Sequence, residues 1–134
     1  MYSHVTLVTT DLARSRAFYA PILATLGVEL ASADDHWLVW RGAAPRPLLL
    51  VTLPVDGAPA APGNGAMVAF LAPTRAAVDR CHALGLAAGG VDEGAPGLLP
   101  AYHANYYGAY FRDPDGNKLC VCCHEVEVEV EGGA

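Results

Sequence analysis

Charge is scarce in this 134-residue chain: Asp, Glu, Lys and Arg make up 16% of it, against about 25% in an ordinary soluble domain. Basic residues are the scarcer sign, eight against fourteen acids. They form no stripe of the kind a phosphate backbone demands, so no nucleic-acid partner is expected. No apolar run approaches the roughly 18 residues of a membrane span, so no membrane partner is expected either. A basic leader with a small-residue cleavage site is also missing, which argues against a signal peptide. Cysteines number four, and Cys120, Cys122 and Cys123 crowd together. Such neighbours cannot staple distant loops, so the expectation is reduced thiols in a cytoplasmic protein.

What is present is apolar. Hydrophobic residues make up 53% of the chain, enough for a packed core in one domain or two small fused repeats. The formal net charge is −6. Glu125, Glu127, Glu129 and Glu131 contribute four of the negative charges, so the body without them stands at −6 + 4 = −2.

Residues 2–9 alternate around β-branched side chains and predict a strand. Asp11 is placed to cap a helix over 12–26, where Phe18, Tyr19, Ile22, Leu23 and Leu26 recur at helical spacing and Gly27 marks the stop. Strand patterns follow at about 28–33, 36–41 and 47–53. Pro54 to Gly65 is rich in proline, glycine and alanine and reads as a linker. The plan then repeats: a strand over 66–72, a helix over about 75–88 capped by Thr74, a glycine-rich segment over 89–97, and strands over about 105–112 and 117–130. Asp113-Pro114-Asp115-Gly116 joins the last two as a hairpin turn. Residues 4–27 lie over 67–90 without gaps at an offset of 63, which predicts two copies of one strand-helix-strands unit.

Period-2 geometry sorts each strand into two faces. Val5, Leu7, Val68 and Phe70 are expected against the helices. His4, Thr6, Met67 and Ala69 then face the other way, into whatever the sheets enclose. On the last strand Cys120, Cys122 and His124 share one face, and Leu119, Val121 and Cys123 the other. Two half-sheets whose second faces converge would form a cup, a usual place for a ligand.

The opening HVTLVTTDLARSRAFYAPIL, the second-half GNGAMVAFLAPTRAAVD and the closing YYGAYFRDPDGNKLCVCCH together resemble the vicinal oxygen chelate superfamily of glyoxalases, bleomycin-resistance proteins and extradiol dioxygenases. The likeness runs from about residue 2 to 124. It implies an α+β fold of two βαβββ modules forming a cupped mixed sheet, in a single domain over 1–134. Module 1 would span about 2–54 and module 2 about 64–126, with a linker at about 54–65, an acidic strand-like tail at 125–134, and assembly as a homodimer.

Metal-dependent members place a divalent ion in the cup on the first and last strands of each module. Carried over position by position, the resemblance puts those ligands at His4, Leu50, Met67 and Cys120. Only His4 fits the mixed His and Glu set such ions want. No metal cofactor is therefore expected; if one is present, it would use His4 with Cys120. Cys120, Cys122 and His124 are an alternative soft-metal set. Same-face neighbours on a flat strand stand about 6.8 Å apart, however, and two thiolates sharing one zinc must approach to under about 5 Å. Small polarizable groups lining an apolar cup are the plainer reading.

The candidate catalytic residues are His4, Tyr102 and His103, the last two in the loop that in the superfamily often closes the cup. The candidate ligand-binding set is His4, Leu50, Met67, Tyr102, His103, Tyr107, Cys120, Cys122 and His124. Tyr106 and Tyr110 oppose Tyr107 and Phe111 across their strand, and whichever pair faces the cup suits flat apolar molecules. Trp37 and Trp40 divide in the same way, one of them expected in the core. His82 is expected to be solvated. The tail from His124 alternates Glu and Val and reads either as an added strand or as an acidic disordered end. Three functions stay open: a small-molecule-binding protein whose cup has lost most metal ligands, a metal-dependent lyase, isomerase or dioxygenase, and a ligand-free structural or regulatory dimer.

Overall fold

The computed structural model describes residues 1–127. The elements run β1 (His4–Val8), α1 (Leu12–Ala24), β2 (Glu29–Ala33), β3 (Trp37–Arg41), β4 (Leu48–Thr52), β5 (Val68–Leu71), α2 (Arg75–Ala87), β6 (Val91–Leu98), β7 (Tyr107–Arg112) and β8 (Lys118–Cys123). They form two four-stranded mixed sheets of order β1-β4-β3-β2 and β5-β8-β7-β6. In each, the strand before the helix pairs in parallel with the last strand of its own module, and the remaining pairs are antiparallel. This is the expected α+β fold, with two βαβββ modules.

Local chemistry sets the helix ends. Asp11 accepts from Arg14 N at 3.0 Å and Thr74 from Ala77 N at 3.1 Å, satisfying amide donors that a helix start leaves free. Gly27 adopts φ +73° just past α1, a conformation that favours glycine. Two elements differ from expectation. The glycine-rich stretch after α2 is a strand, β6, whose pairing with β7 is irregular around Gly94; glycine and proline masked its period. The last strand ends at Cys123, and residues 124–127 are not strand. Its predicted continuation to 130 otherwise lies outside the described residues, as does the rest of the tail.

The sheets divide their faces as alternation requires. Val51, Leu38, Trp40, Leu119, Val121, Cys123 and Phe111 form one core with Phe18, Tyr19, Ile22 and Leu23 of α1 and Val78 and Cys81 of α2. Trp40 is the core member of its pair, 2% exposed, whereas Trp37 is 44% exposed on the opposite face. The modules meet on this helix side, where Phe18 and Phe111 lie 6.1 Å apart between ring centroids. His82 is buried there rather than solvated, its Nε2 2.9 Å from Asp92 Oδ1 and its ring edge-on to Phe111.

The junction is fastened by the β7–β8 turn. Gly116 supplies φ +91° within it. Asp113, 2% exposed, accepts at Oδ1 from Asp115 N and Asn117 N, and at Oδ2 from Asn117 Nδ2 and the Tyr19 hydroxyl. Asp115 accepts from Thr9 Oγ1 at 2.6 Å, from Thr10 N at 3.1 Å and from Arg14 Nη2 at 2.6 Å. Asn117 Nδ2 donates to the Val8 carbonyl at 2.8 Å. A motif that reads as a turn in sequence therefore also joins the modules.

Candidate functional site

The face turned away from the helices carries the candidate residues. In module 1 it presents His4 and Thr6 of β1, Leu50 of β4, and Val39 and Trp37 of β3, which the strand register sets side by side. His4 is exposed, its Nδ1 2.9 Å from Ser3 Oγ. Leu50 is half-buried opposite Thr6 and Val39. Met67 stands one residue before β5, in the other module, 44% exposed.

In module 2 the same face is covered by its own side chains. The segment between β6 and β7 folds back through Leu99 N to the Tyr106 carbonyl at 2.9 Å, Tyr102 N to the Leu99 carbonyl at 3.1 Å and Tyr106 N to the His103 carbonyl at 3.2 Å. These bonds bring Tyr102, His103 and Tyr106 together with the face of β8. The Tyr106 hydroxyl lies 3.5 Å from Cys120 Sγ and 3.1 Å from the Tyr110 hydroxyl. Its ring meets those of Tyr102 at 4.9 Å and His124 at 5.4 Å. Gly108 makes room: a Cβ there would meet Tyr106 Cε1 at 3.0 Å. Cys120 and Cys122 are accordingly buried, 0% and 5% exposed.

A directional hydrogen-bond chain edges this cluster. Asn105 N–H donates to His103 Nδ1 at 3.1 Å, so a neutral His103 carries its proton on Nε2. That nitrogen is 2.8 Å from His124 Nδ1, which must then accept, leaving the His124 proton on Nε2. His124 Nε2 faces Cys122 Sγ at 3.7 Å, and Cys122 Sγ is 3.8 Å from the Phe70 carbonyl. Burial, followed by the neighbouring Cys120, pushes the Cys122 thiol up to about 11. It stays protonated near neutrality and is not poised as a nucleophile. Burial first, then hydrogen bonds to Cys120 and Tyr110, also raises the Tyr106 hydroxyl.

Of the nine sequence candidates, Tyr102, His103, Cys120, Cys122 and His124 are brought into one cluster. His4 and Leu50 belong to the other sheet, and Met67 lies beside the edge strand β5. Tyr107 is on the opposite face: its hydroxyl donates to Asp79 of α2 at 2.5 Å, and Arg75 sits 5.5 Å over its ring. That bond, ahead of burial, pushes its pKa up to about 12. Alternation put Tyr106 and Tyr110 on one face and Tyr107 and Phe111 on the other; the core claims the second pair. The signal for Tyr106 was Gly108, two residues on and without a side chain to obstruct it.

The donors at the four expected metal positions do not make a hard-metal site. They are one solvent-facing imidazole, an isobutyl group, a thioether and a thiol sealed beneath a tyrosine. Among the described residues no group of three or more His, Cys, Asp or Glu side chains is arranged to hold an ion. No helix among them is long and apolar enough to cross a membrane.

Two helix-backed sheets joined at their helix side, the second face open in the first module and covered by its own side chains in the second, define a paired βαβββ-module protein. The sequence model of the Glyoxalase/Bleomycin resistance protein/Dioxygenase superfamily matches residues 2–121, and the chain belongs to that family. A glyoxalase/bleomycin resistance protein from Albidiferax ferrireducens T118 is 37% identical with a TM-score of 0.84, the match covering 93% of this chain and 99% of that one. A glyoxalase/bleomycin resistance protein/dioxygenase family enzyme from Burkholderia phytofirmans PsJN shares the fold at 19% identity and TM-score 0.70, over 92% of this chain and 98% of that one. A lactoylglutathione lyase from Agrobacterium tumefaciens does so at 22% identity and TM-score 0.65, over 92% of each chain. No protein of curated function matches the chain by sequence.

Proposed function

We propose that this family member binds a small, largely apolar or aromatic molecule on the cup face of its sheets, without the divalent ion that the family often uses. The chemistry of four side chains supports the reading: the resemblance puts the family's ligands at His4, near Leu50, and at Met67 and Cys120, and only the first offers a donor such ions prefer. The remaining surface suits an apolar guest. Trp37, Val39 and Leu50 line module 1, and the tyrosine cluster lines module 2. The His103–His124 pair is placed to orient a polar end of that guest or to pass a proton along its edge.

The proposal includes a cytoplasmic homodimer. Four free thiols fit a reducing compartment. β1 and β5 each end a sheet, and exposed Met67 just before β5 and Leu71 at its end present apolar surface that a second copy would cover.

The test is elemental analysis of protein purified without a histidine tag, beside thermal-shift titration with aromatic acids and ketones. Less than a tenth of an equivalent of zinc, nickel, manganese or iron, with melting raised by at least one aromatic probe, is expected. Stoichiometric metal that disappears in His4→Ala would refute the metal-free reading.

A further inference from the structure

A cavity of about 490 Å³ opens between the first sheet and the edge strand β5, away from the cluster of Tyr106 with Cys120. Its wall is apolar and includes Val5, Val28, Trp40, Leu49, Val68 and Phe70. A space of this volume with such a lining is of ligand size. Trp40, one of the lining residues, carries a polar group. Trp40 Nε1 is buried and has no hydrogen-bond partner among the described residues. Buried N–H donors in native proteins are nearly always paired, because leaving one unpaired forfeits its hydration without return. Indole offers a donor only, so the missing partner is an acceptor.

We propose that this cavity is a second binding site, for a small apolar molecule carrying one acceptor oxygen such as an aryl ketone carbonyl. The hydrocarbon body fills the space against Val28, Val68 and Phe70, and the oxygen takes the Trp40 N–H. The donor lies behind the cavity surface, so an adjoining side chain rotates to admit the oxygen. Once met, the bond is screened from water and discriminates between guests that carry the acceptor and guests that do not. A polar or multiply charged ligand is excluded by the rest of the wall. The site shares neither His4, Cys120 nor Tyr106 with the cup-face proposal, while Met67 and Leu71, which also line it, belong to the surface proposed for a second copy.

The experiment uses full-length ¹⁵N-labelled protein carrying Trp37→Phe, so that the remaining indole N–H signal belongs to Trp40. Acetophenone and ethylbenzene, similar in shape and differing in the carbonyl, are titrated separately. Both are expected to saturate, and acetophenone alone to move the indole proton downfield. Trp40→Phe removes the donor together with part of the ring, so the two probes are compared with each other: acetophenone should weaken about fivefold relative to ethylbenzene, the size of one net hydrogen bond. Val28→Phe, which fills the cavity, should abolish binding of both. The proposal is overturned if neither probe saturates at millimolar concentration, if Trp40→Phe leaves the ratio of the two affinities intact, or if Val28→Phe binds both probes as before.

Discussion

Tyr19 of α1 donates its hydroxyl proton to Asp113 Oδ2 at 2.5 Å across 94 positions of chain, inside the junction between the modules. Asp113 meets four donors in all, so both its oxygens are fully used. Tyr19→Phe removes one donor and keeps the ring, and should lower stability by about 1–2 kcal/mol, read from the urea midpoint at unchanged slope. A midpoint equal to wild type would show that the bond adds nothing to the junction.

The same hydroxyl makes stability pH-dependent. Burial first, then the Asp113 charge and hydrogen bond, raises its pKa well above the ordinary 10.0. The unfolded chain releases this proton from about pH 10, while the folded chain keeps it. The contribution is therefore complete below that pH and lost as pH rises through 10 towards the raised native value. Burial pushes Cys81 from 9.0 to about 11, which acts in the same direction from pH 9 upward. The urea midpoint should fall between pH 8 and pH 10.5, and fall less steeply in Tyr19→Phe. Parallel slopes in the two proteins would remove Tyr19 from the account.

Asp115 separates two kinds of contact. Its side chain is 4% exposed, whereas that of its partner Arg14 is 43% exposed. Half-exposed ion pairs contribute little, so Arg14→Ala should cost under about 1 kcal/mol. Asp115→Ala also takes the acceptor from the buried Thr9 hydroxyl and from Thr10, and should cost about 2–3 kcal/mol by denaturant titration. Equal losses from the two variants would mean that the ion pair, not the threonine contacts, fastens the turn.

Gly85 sets propensity against packing. Alanine in the last turn of α2 would gain at most about 1 kcal/mol of helix propensity. Its Cβ would lie 2.8 Å from Phe111 Cε2, a ring that is 0% exposed. Overpacking a closed core typically costs about 1–3 kcal/mol, and the clash should win. Gly85→Ala is expected to lower the melting temperature, and Phe111→Leu added to it to recover part of the loss. A stabilised Gly85→Ala would show that the ring moves aside freely.

Gly108→Ala would push the Tyr106 ring off β8. Cys120 and Cys122 should then react several-fold faster with iodoacetamide under native conditions, monitored by peptide mass spectrometry. Cys81, buried in the core, serves as the internal control. Unchanged rates at Cys120 and Cys122 would mean that Tyr106 does not shield them.

Much of the architecture was legible because it is local and periodic. Asp11 and Thr74 announce their helices, the 63-residue offset announces the duplication, and Asp113 to Gly116 announces the final hairpin. β6 was not legible, since Gly94, Pro96 and Gly97 carry no alternation. The choice between tyrosine faces was not legible either: alternation pairs Tyr106 with Tyr110, but only packing against α2 shows which face Tyr107 takes. His82 looked solvated because nothing in its own helix discloses Asp92 or Phe111. The junction escaped the reading for a similar reason, since a turn motif explains itself locally and gives no hint of Thr9, Arg14 or Tyr19.

The junction also orders events in time. On a ribosome the chain emerges from its N-terminus, so Tyr19 and Thr9 leave the tunnel long before the turn that meets them has been made. Those hydroxyls are answered by water, and the apolar helix side of the first module stays uncovered, until the 94 positions that separate Tyr19 from Asp113 have been made. Closure waits for the β7–β8 turn. A chain released before Asp113 would lack the fastening, leaving it exposed to aggregation and proteolysis.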